Sequence, residues 1–534
     1  MSKNYMKAQW RELFGTSLLS VCTVSFALIS FPRSLNALTG KSAIISPGFR
    51  FEAITSVSNS FVECVIRGED GIQILIESSA NSTDWASVGL TSCSNGIARF
   101  TDSAPFEAPV RLYRLRVFSE GIAPEASPSS ISKLRRRVAQ SADETVTVKG
   151  YYKPGDEGGG LFYWDPTSVA PDNGGTIIKP DDGQTEGRWK RLYSGEIWVK
   201  WFGAVGDGAT DDTLTIRAAA ETAGPGGKVM FNPDSTYLVS SFLSPLSGQT
   251  WSGYGATIKR KGQVIAQTDS SIPADLPEVQ ITVSDPSQFY VGMHVTVFNG
   301  NDFDPGNHFV RTIEGDVLTL GTAFSVVFPS GGTVISSHKI IEPAITATKV
   351  TILGFEIDGN AQENDALQKW QNHSDICVFS DFAVVRDCFV HDSQSEGVII
   401  GGVGGVVEQN RILNCQGNGI HLSANSQVKL IGNFIQNCNL AGRDTGHADG
   451  CIAFSVAARG DTVISGNYLE NGLSGISGMT VEADSSVIIT GNTIRNGRES
   501  AFKVVNPDTP IGKIIFSDNL VYDRSRDGKN DHKD

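Results

Sequence analysis

The chain has 534 residues, of which 57 are glycine, 40% are hydrophobic and only 19% are charged. Frequent glycine with few charges is typical of many short strands joined by tight turns, and it excludes a coiled coil or a largely disordered protein. The formal net charge of −14 leaves no bulk positive potential for nucleic acid or an anionic membrane, so no nucleic-acid partner is expected.

The N-terminal 37 residues have the pattern of an export signal. Three Lys and Arg residues precede an uncharged stretch from 13 to 31. A basic segment followed by an apolar one is typical of a secretory signal peptide. We therefore expect residues 1–37 to be a signal peptide, the protein to be secreted or held at the cell surface, and no stable membrane insertion after cleavage. A retained anchor is the alternative, since the stretch is nearly long enough to span a bilayer.

Residues 41–118 carry runs such as "FVECVIRG", "GIARFTDS" and "VRLYRLRVF". Their period-two alternation between turn residues predicts a small antiparallel β-sandwich. The sequence "STDWASVG…ARFTDSAPFEAPVRLYRLRV" resembles the fibronectin-like modules of secreted bacterial proteins, which implies a spacing or presenting role. Cys64 and Cys93 could pair in an oxidising compartment. Residues 119–144, rich in Pro, Ser and Ala, are predicted to be a linker.

Residues 145–200 form a Gly-rich, aromatic and β-rich segment, and "WFGAVGDGATDDTLTIRAAAE" follows it. This pair of segments resembles the start of pectate-lyase-like right-handed parallel β-helices, which include phage tailspikes and secreted polysaccharide-degrading enzymes. The resemblance implies a β-helix over residues 201–534. Three acidic residues of the motif look like a metal cluster, but the resemblance implies an architectural role for them, with Thr210 or Asp211 capping a helix. Residues 276–338 interrupt the pattern and predict an inserted small β-barrel.

Beyond residue 340 six short units repeat, each with Asn or Asp at its second position: Asp387, Asn410, Asn433, Asn467, Asn492 and Asp518. Their spacings of 23, 23, 34, 25 and 26 residues are typical of a parallel β-helix. We predict that the four central Asn residues stack in one line, beside a second line of Asn414, Asn437, Asn471 and Asn496. The fold class is therefore all-β: a right-handed parallel β-helix, preceded by a small β-sandwich module and carrying an inserted small β-barrel.

Each coil returns through a further strand, whose side chains alternate between the two faces. One predicted inward column is Ile376, Val398, Ile420, Ile452, Met479 and Phe502, and the outward column is Cys377, Ile399, His421, Ala453, Thr480 and Lys503. The resemblance implies that this sheet carries a substrate groove.

The 34-residue repeat is enlarged by the insertion "LAGRDTGHADG", which is expected to loop out beside His421. His421, His447 and Asp449 are therefore candidate catalytic residues, because His can act as acid or base near neutral pH and Asp449 can orient it. Arg443 could hold a sugar carboxylate through two hydrogen bonds. The alternative is a self-solvating loop and an exposed strand residue at position 421.

A second candidate site pairs Lys503, as a catalytic base, with Glu482, as a substrate-binding residue; the alternative is a surface ion pair. "GHADGCIAF" also resembles the "GDDCIAI" strand of polygalacturonase-type hydrolases. Inverting hydrolysis needs an acid and a base, but position 450 is Gly, which leaves Asp449 as the only carboxylate of that motif.

These features predict a secreted carbohydrate-active enzyme that binds a polysaccharide along a β-helix groove and cleaves it by lysis or hydrolysis. An acidic, uronate-containing glycan is the expected substrate. The cofactor is left open with Ca²⁺ as the candidate, and no metal ligand is assigned. The alternatives are a non-catalytic glycan-binding or cell-surface protein and a phage tailspike-like depolymerase, for which a homotrimer is expected.

Overall fold

The structure, a computed structural model, describes residues 25–30, 50–58, 61–70, 73–79, 86–102, 110–118, 127–142, 144–268, 270, 277–298, 303–321, 332–337, 339–364, 374–439, 449–457, 460–504 and 512–522. The chain divides into two compact units, residues 1–125 with 192–195, and residues 126–191 with 196–534. Within the described ranges, no helix has the length and apolar run needed to cross a bilayer.

The first unit is a small β-sandwich. Its four-stranded sheet contains, in spatial order, Ser25–Ser30, Val110–Phe118, Gln73–Ser79 and Ala86–Ser92, and its three-stranded sheet contains Arg50–Ser58, Phe61–Arg67 and Ile97–Asp102. Alternate side chains of both sheets, among them Ile66, Ile76 and Tyr113, form one buried core. The first of these strands lies within the segment predicted as a signal peptide. Cys64 and Cys93, which the sequence alone would allow to pair, are both free thiols.

The second unit begins with a four-stranded antiparallel sheet of Ile177–Ile178, Arg188–Arg191, Gly160–Asp165 and Thr145–Val148. The short helix Ile131–Arg135 precedes it and begins at Ser130, whose hydroxyl accepts the Lys133 N–H at 3.3 Å. Ile131 and Leu134 are buried in the same core as Trp189. Part of the segment predicted to be a linker is therefore an element of this small domain, because its apolar residues complete the domain core.

A three-sheet parallel β-helix follows. Sheet 1 has ten strands: Glu196–Trp198, Lys228–Met230, Thr250–Ser252, Thr351–Leu353, Val384–Arg386, Val406–Glu408, Lys429–Ile431, Asp461–Ser465, Ser486–Thr490 and Lys513–Ser517. Sheet 2 also has ten: Asp207–Asp211, Thr236–Val239, Thr257–Arg260, Glu356–Asp358, Phe389–His391, Arg411–Cys415, Phe434–Cys438, Tyr468–Glu470, Thr493–Arg495 and Leu520–Tyr522. Sheet 3 has six: Ser374–Val378, Glu396–Val403, Ile420–Ser426, Ile452–Ala457, Ser474–Val481 and Ser500–Val504.

The α-helix Thr213–Ala223 lies at the start of the β-helix and buries Ile216 and Ala219. Its N-cap is Asp212 rather than the expected Thr210 or Asp211. The Asp212 carboxylate instead accepts the backbone N–H groups of Val205 and Gly206 at 2.6 and 3.0 Å, and burial raises the pKa of Asp212 to about 6. Its partners are therefore backbone groups, which agrees with an architectural role.

The predicted line of stacked Asn residues is confirmed. Amide Nδ2 donates to the next Oδ1 from Asn410 to Asn433 and from Asn433 to Asn467, each at 3.0 Å, and from Asn467 to Asn492 at 2.9 Å. The line continues to Asn519 at 2.8 Å, not to Asp518. Asp518 and Asp387 instead occupy the left-handed positions just before the line, with φ of 56° and 57°.

The second Asn line occupies a turn at which the backbone has positive φ, between 51° and 58° for Asn414, Asn437, Asn471 and Asn496. Asn tolerates this conformation better than other non-glycine residues. Asn437 donates to Asn414 and Asn471 donates to Asn437, at 3.1 and 3.0 Å. Asn496 departs from the line and donates to Glu470 at 3.5 Å.

The inserted domain is a six-stranded antiparallel sheet with the spatial order Ile265–Thr268, Gly332–Ser336, His294–Phe298, Phe303–Glu314, Val317–Gly321 and Glu278–Thr282. It has a core of its own that includes Met293, Val295, Leu318 and Leu320. Short 3₁₀ helices are Val199–Phe202, Pro286–Gln288 and Ala361–Glu363.

Candidate functional site

The register of sheet 3 places the candidate residues. His421 lies beside Ile399 in the preceding coil and Ala453 in the following one, as expected. The next neighbours are Ser477 and then Lys503, so the predicted position of Thr480 in this column is wrong by three residues. Ile476 likewise takes the position predicted for Met479. The strand Ser474–Val481 contains two apolar–polar pairs, Ile476 with Ser477 and Met479 with Thr480. The sequence alone does not distinguish which pair occupies the inward and outward columns.

The predicted outward column is closed along much of its length. Cys377, Ala453 and Ser477 have no exposed surface, and Ile399 is 2% exposed. In this column the side chains that reach solvent are His421, 12% exposed, and Lys503, 40% exposed. Among the described residues of this column, polar side chains that reach solvent are therefore confined to these two places.

His421 is hydrogen-bonded through both ring nitrogens. Nδ1 lies 2.9 Å from Glu396 Oε1 and 3.1 Å from Oε2, while Nε2 lies 2.6 Å from the hydroxyl oxygen of Ser455. Glu396 begins the strand one coil before His421, and Ser455 lies in the strand one coil after it. The stacking of coils therefore brings together residues 25 and 34 positions apart in sequence. We call these three residues the His421 cluster.

A buried amide holds the carboxylate of the cluster. Asn418 Nδ2 donates to Glu396 Oε1 at 2.9 Å, and the backbone N–H of Gly450 donates to Asn418 Oδ1 at 2.7 Å. Glu396 and Asn418 are 2% and 4% exposed, whereas Ser455 is half-buried. Buried hydrogen bonds thus fix the Glu396 carboxylate, whereas the Ser455 hydroxyl lies at the more accessible end of the cluster.

The electrostatics of the cluster favour a charged imidazole. Burial lowers the pKa of His421, but attraction to Glu396, the hydrogen bond to that carboxylate, and Asp449 together raise the pKa above its usual value. Such a residue can accept and return a proton near neutral pH.

The structure therefore brings Asp449, which is buried, into the electrostatic environment of His421. The predicted residues Arg443 and His447 lie outside the described residues. The second candidate site differs from the prediction: Lys503 forms an ion pair with Glu499 at 3.0 Å, while Glu482 is exposed just beyond the strand Ser474–Val481. The three-residue shift in register places Ser477, not Thr480, beside Lys503.

Sequence reasoning missed Glu396, Asn418 and Ser455 as members of a site. Glu396 and Asn418 are 22 residues apart and occupy adjacent coils. A search for polar residues repeated at the coil spacing, just before each strand of sheet 3, would have found both.

A possible metal-binding group lies elsewhere, at the turn after sheet 2. Ligand atoms of Asp358, His391 and Asp392 lie within 4.8 Å of one another. Both His391 nitrogens already have carboxylate partners, Asp392 at 2.9 Å and Glu356 at 3.1 Å. Because Ca²⁺ prefers oxygen ligands, this imidazole-containing group does not support the Ca²⁺ expectation.

Two stretches match protein families. Residues 127–194 match the family described as phage tail protein small four-stranded beta-sheet domain. Residues 373–530 match the family described as right handed beta helix region. The first match coincides with the four-stranded sheet, and the second with the coils that carry both Asn lines. The second unit is thus a right-handed parallel β-helix preceded by a small β domain.

Individual proteins match either over a short stretch or over a long stretch at low sequence identity. The Mu-like prophage FluMu defective tail fiber protein of Haemophilus influenzae is 36% identical over 91 residues, 17% of this chain and 14% of that protein. The enzymatically active domain of bacteriophage CBA120 tailspike protein 2 is 13% identical, with a TM-score of 0.41 over 74% of this chain and 53% of that chain. Tailspike gp49 of Acinetobacter baumannii bacteriophage Fri1, a capsular polysaccharide depolymerase, is 12% identical, with a TM-score of 0.37 over 75% and 71%. The chain thus spans about a seventh of the tail fiber protein and about half of the CBA120 domain.

Proposed function

We propose that the protein binds a polysaccharide along its β-helix and breaks a covalent bond of that glycan at the His421 cluster. The observation that carries the proposal is the hydrogen-bonded chain from Glu396 through His421 to Ser455. An imidazole held between a carboxylate and a half-buried hydroxyl can move a proton at one defined atom, Nε2.

The outer face of sheet 2 supports glycan binding. Planar side chains stack along the helix axis on successive coils: the Arg411 guanidinium lies 4.9 Å from the Phe389 ring, Phe434 and Tyr468 stack at 4.8 Å, and Arg495 lies 4.7 Å from the Tyr522 ring. Aromatic faces offer large, rigid contact area, and guanidinium groups pair with carboxylates. This combination of aromatic and guanidinium groups suits an acidic, uronate-containing glycan. In each of the six coils that have a sheet 3 strand, the sheet 2 strand comes directly before it in sequence.

Lysis and hydrolysis make different demands on the cluster. In lysis, His421 Nε2 would remove the proton beside a uronate carboxylate, with a cation neutralising that carboxylate. In glycosidic hydrolysis, two carboxyl groups would have to flank the scissile bond, and Glu396 and Asp449 are the nearby carboxylates.

The test is an assay of purified protein on a panel of uronate-containing and neutral polysaccharides. Lysis is followed by the absorbance of the unsaturated product, glycosidic hydrolysis by new reducing ends, and cleavage of a substituent by the acid released. We expect activity that His421→Ala abolishes and Lys503→Ala retains, with folding checked by circular dichroism. Turnover that survives His421→Ala but not Lys503→Ala would move the site to Lys503. Retention on a glycan without any bond breakage would leave the non-catalytic binding alternative, and absence of retention would refute the proposal.

A tailspike-like depolymerase is the second candidate, favoured by the phage-tail family match immediately before the β-helix. It differs from the first in location: a secreted or cell-surface protein passes through export, whereas a virion protein assembles in the cytoplasm. N-terminal sequencing of the exported protein distinguishes them, since export with cleavage near residue 37 is expected only for the first.

A further inference from the structure

We infer that Ser455 is a nucleophile and that the His421 cluster hydrolyses an ester substituent of the glycan through an acyl-enzyme. The identity of the ester as a glycan substituent rests on the proposed function; the nucleophilic role of Ser455 rests on the geometry alone.

The geometry has the three parts that an activated hydroxyl requires. The base lies within hydrogen-bonding reach of the nucleophile, with Nε2 at 2.6 Å from Ser455 Oγ. A carboxylate orients the base, with Glu396 Oε1 at 2.9 Å from Nδ1. Nucleophile, base and orienting carboxylate linked in this order form the arrangement that activates serine on unrelated folds.

The surroundings of Glu396 fix the working tautomer of His421. The carboxylate can only accept at Nδ1, so in the neutral imidazole Nδ1 carries the proton and the lone pair of Nε2 faces the Ser455 hydroxyl. Asn418 holds the carboxylate in place, and the backbone of Gly450 holds Asn418. Each group that orients the base is therefore itself held by a buried partner.

The same contacts disfavour the other chemistries at this position. Glu396 is 2% exposed and receives hydrogen bonds from both Asn418 and His421, so it cannot flank a glycosidic bond as a free acid or base. Nε2 faces a hydroxyl rather than solvent, so the proton it is placed to remove is that of Ser455. An oxygen nucleophile of this kind attacks an acyl carbon, and sugar hydroxyl groups are the positions at which a glycan carries acyl esters.

The reaction is balanced without a cofactor. Ser455 Oγ attacks the ester carbonyl carbon while His421 Nε2 takes the hydroxyl proton. The bond between the acyl carbon and the sugar oxygen then breaks, and His421 returns the proton to that oxygen, leaving the free sugar hydroxyl and an acyl-serine. Water attacks the acyl-serine with His421 again as base, which releases a carboxylic acid and restores Ser455.

The experiment compares Ser455→Ala with Ser477→Ala. Ser477 is a matched control, since it is a serine of the neighbouring strand whose buried hydroxyl has no hydrogen-bond partner within the described part of the chain. The substrates are p-nitrophenyl acetate and chemically O-acetylated polysaccharides, with released acetate as the readout. We expect Ser455→Ala to lower the rate by about 10³-fold or more, and Ser477→Ala to change it less than about twofold.

Labelling gives a second readout that does not depend on turnover. A serine-directed fluorophosphonate should add one adduct to the protein, mapped by mass spectrometry to Ser455, and His421→Ala should slow its formation. Equal labelling of the Ser455→Ala variant, or acetate release that this variant retains, would overturn the inference.

The two proposals fail separately. Glycan retention with chain cleavage that persists in Ser455→Ala, and no acetate release by the unmodified protein, would overturn the nucleophile and leave the proposed function standing. Ser455-dependent cleavage of the aryl ester without retention of any glycan would refute the proposed function and support the nucleophile.

Discussion

Single Asn side chains connect the coils because an amide is both donor and acceptor. Asn433 is 1% exposed, and its Oδ1 accepts the backbone N–H and the side-chain amide of Asn410 at 3.1 and 3.0 Å. Its Nδ2 donates to the Val407 carbonyl at 2.9 Å and to Asn467 at 3.0 Å. One residue thereby satisfies buried polar groups of three coils, which carboxylate, hydroxyl or apolar side chains cannot do.

Asn433→Ala should therefore destabilise the β-helix strongly. It leaves buried groups on Asn410, Val407 and Asn467 with fewer partners, at a cost of about 2–4 kcal/mol in the free energy of unfolding. Chemical denaturation followed by circular dichroism measures the change. Lys429→Ala, at an exposed position of the same coil, is the control and should stay within about 0.5 kcal/mol. Equal stabilities of the two variants would contradict the structural role of the Asn line.

The two charge states of His421 favour different properties: the charged imidazole adds stability, and the neutral imidazole provides activity. Its pKa is raised in the folded protein because attraction to Glu396, the hydrogen bond to it, and Asp449 outweigh the effect of burial. A group whose pKa is raised on folding adds stability below its unfolded pKa, and that contribution is lost as pH rises through the folded pKa. Only the neutral imidazole can act as a base, so activity should appear as this contribution to stability disappears.

We therefore expect the acid limb of the pH–rate profile to lie above pH 6.5, the ordinary pKa of histidine. Glu396→Gln removes the attracting charge and should shift that limb to lower pH while also lowering the maximum rate. Initial rates between pH 5 and 9 at saturating substrate give both values. A limb that stays in place in Glu396→Gln would show that another group controls the profile. The Glu499→Gln variant, which alters the partner of Lys503, is the control and should leave the limb unchanged.

At the scale of strands and coils, the sequence predicts the repeating parts better than the site. Every coil needs an amide in the same buried place and a left-handed residue at the same turn, so Asn410 and Asn437 show their roles through spacing alone. The His421 cluster joins residues on three coils diagonally, and only the register of sheet 3 brings them together. His421 itself was predictable from its position in the column. Ser455 carries no repeated pattern, and the second alternation in Ser474–Val481 conceals the true neighbour of Lys503.

The packing between two strands of sheet 3 offers a test of that register. Phe454 is 1% exposed and pairs with Gly478 in the next coil. A Cβ atom on Gly478 would lie 1.8 Å from the end of the Phe454 ring, so the ring fills the space that a side chain would need. The close approach requires glycine at this position.

Gly478→Ala should lower the free energy of unfolding by about 1–3 kcal/mol because it overfills this space. Adding Phe454→Leu should recover part of the loss, since the smaller side chain makes room for the new methyl group. Denaturation midpoints of the two single variants and the double variant form a double-mutant cycle. Purely additive effects would show that the two residues are not in contact, and the register of Ser474–Val481 would then be wrong.

At the scale of the whole molecule, a β-helix is a stack in which each coil contacts only its neighbours, so apolar side chains left exposed on a coil need a cover from another segment or another chain. Two strands of the described residues, Lys513–Ser517 and Leu520–Tyr522, expose large apolar side chains: Phe516 is 41%, Leu520 57% and Tyr522 51% exposed. Association with further copies of the chain would cover them. Most homo-oligomers have closed symmetry, and the homotrimer expected for a tailspike-like protein satisfies this condition.

We therefore predict that light scattering coupled to size exclusion gives three times the mass of one chain. Leu520→Glu places a charge in the apolar surface and should shift the population towards single chains at low micromolar concentration. Leu214→Glu, at a position 56% exposed on the helix Thr213–Ala223, is the control and should leave the mass unchanged. A single-chain mass for the unsubstituted protein would refute the trimer and weaken the tailspike-like candidate. A trimeric mass that Leu520→Glu leaves intact would instead place the contact between copies elsewhere on the β-helix.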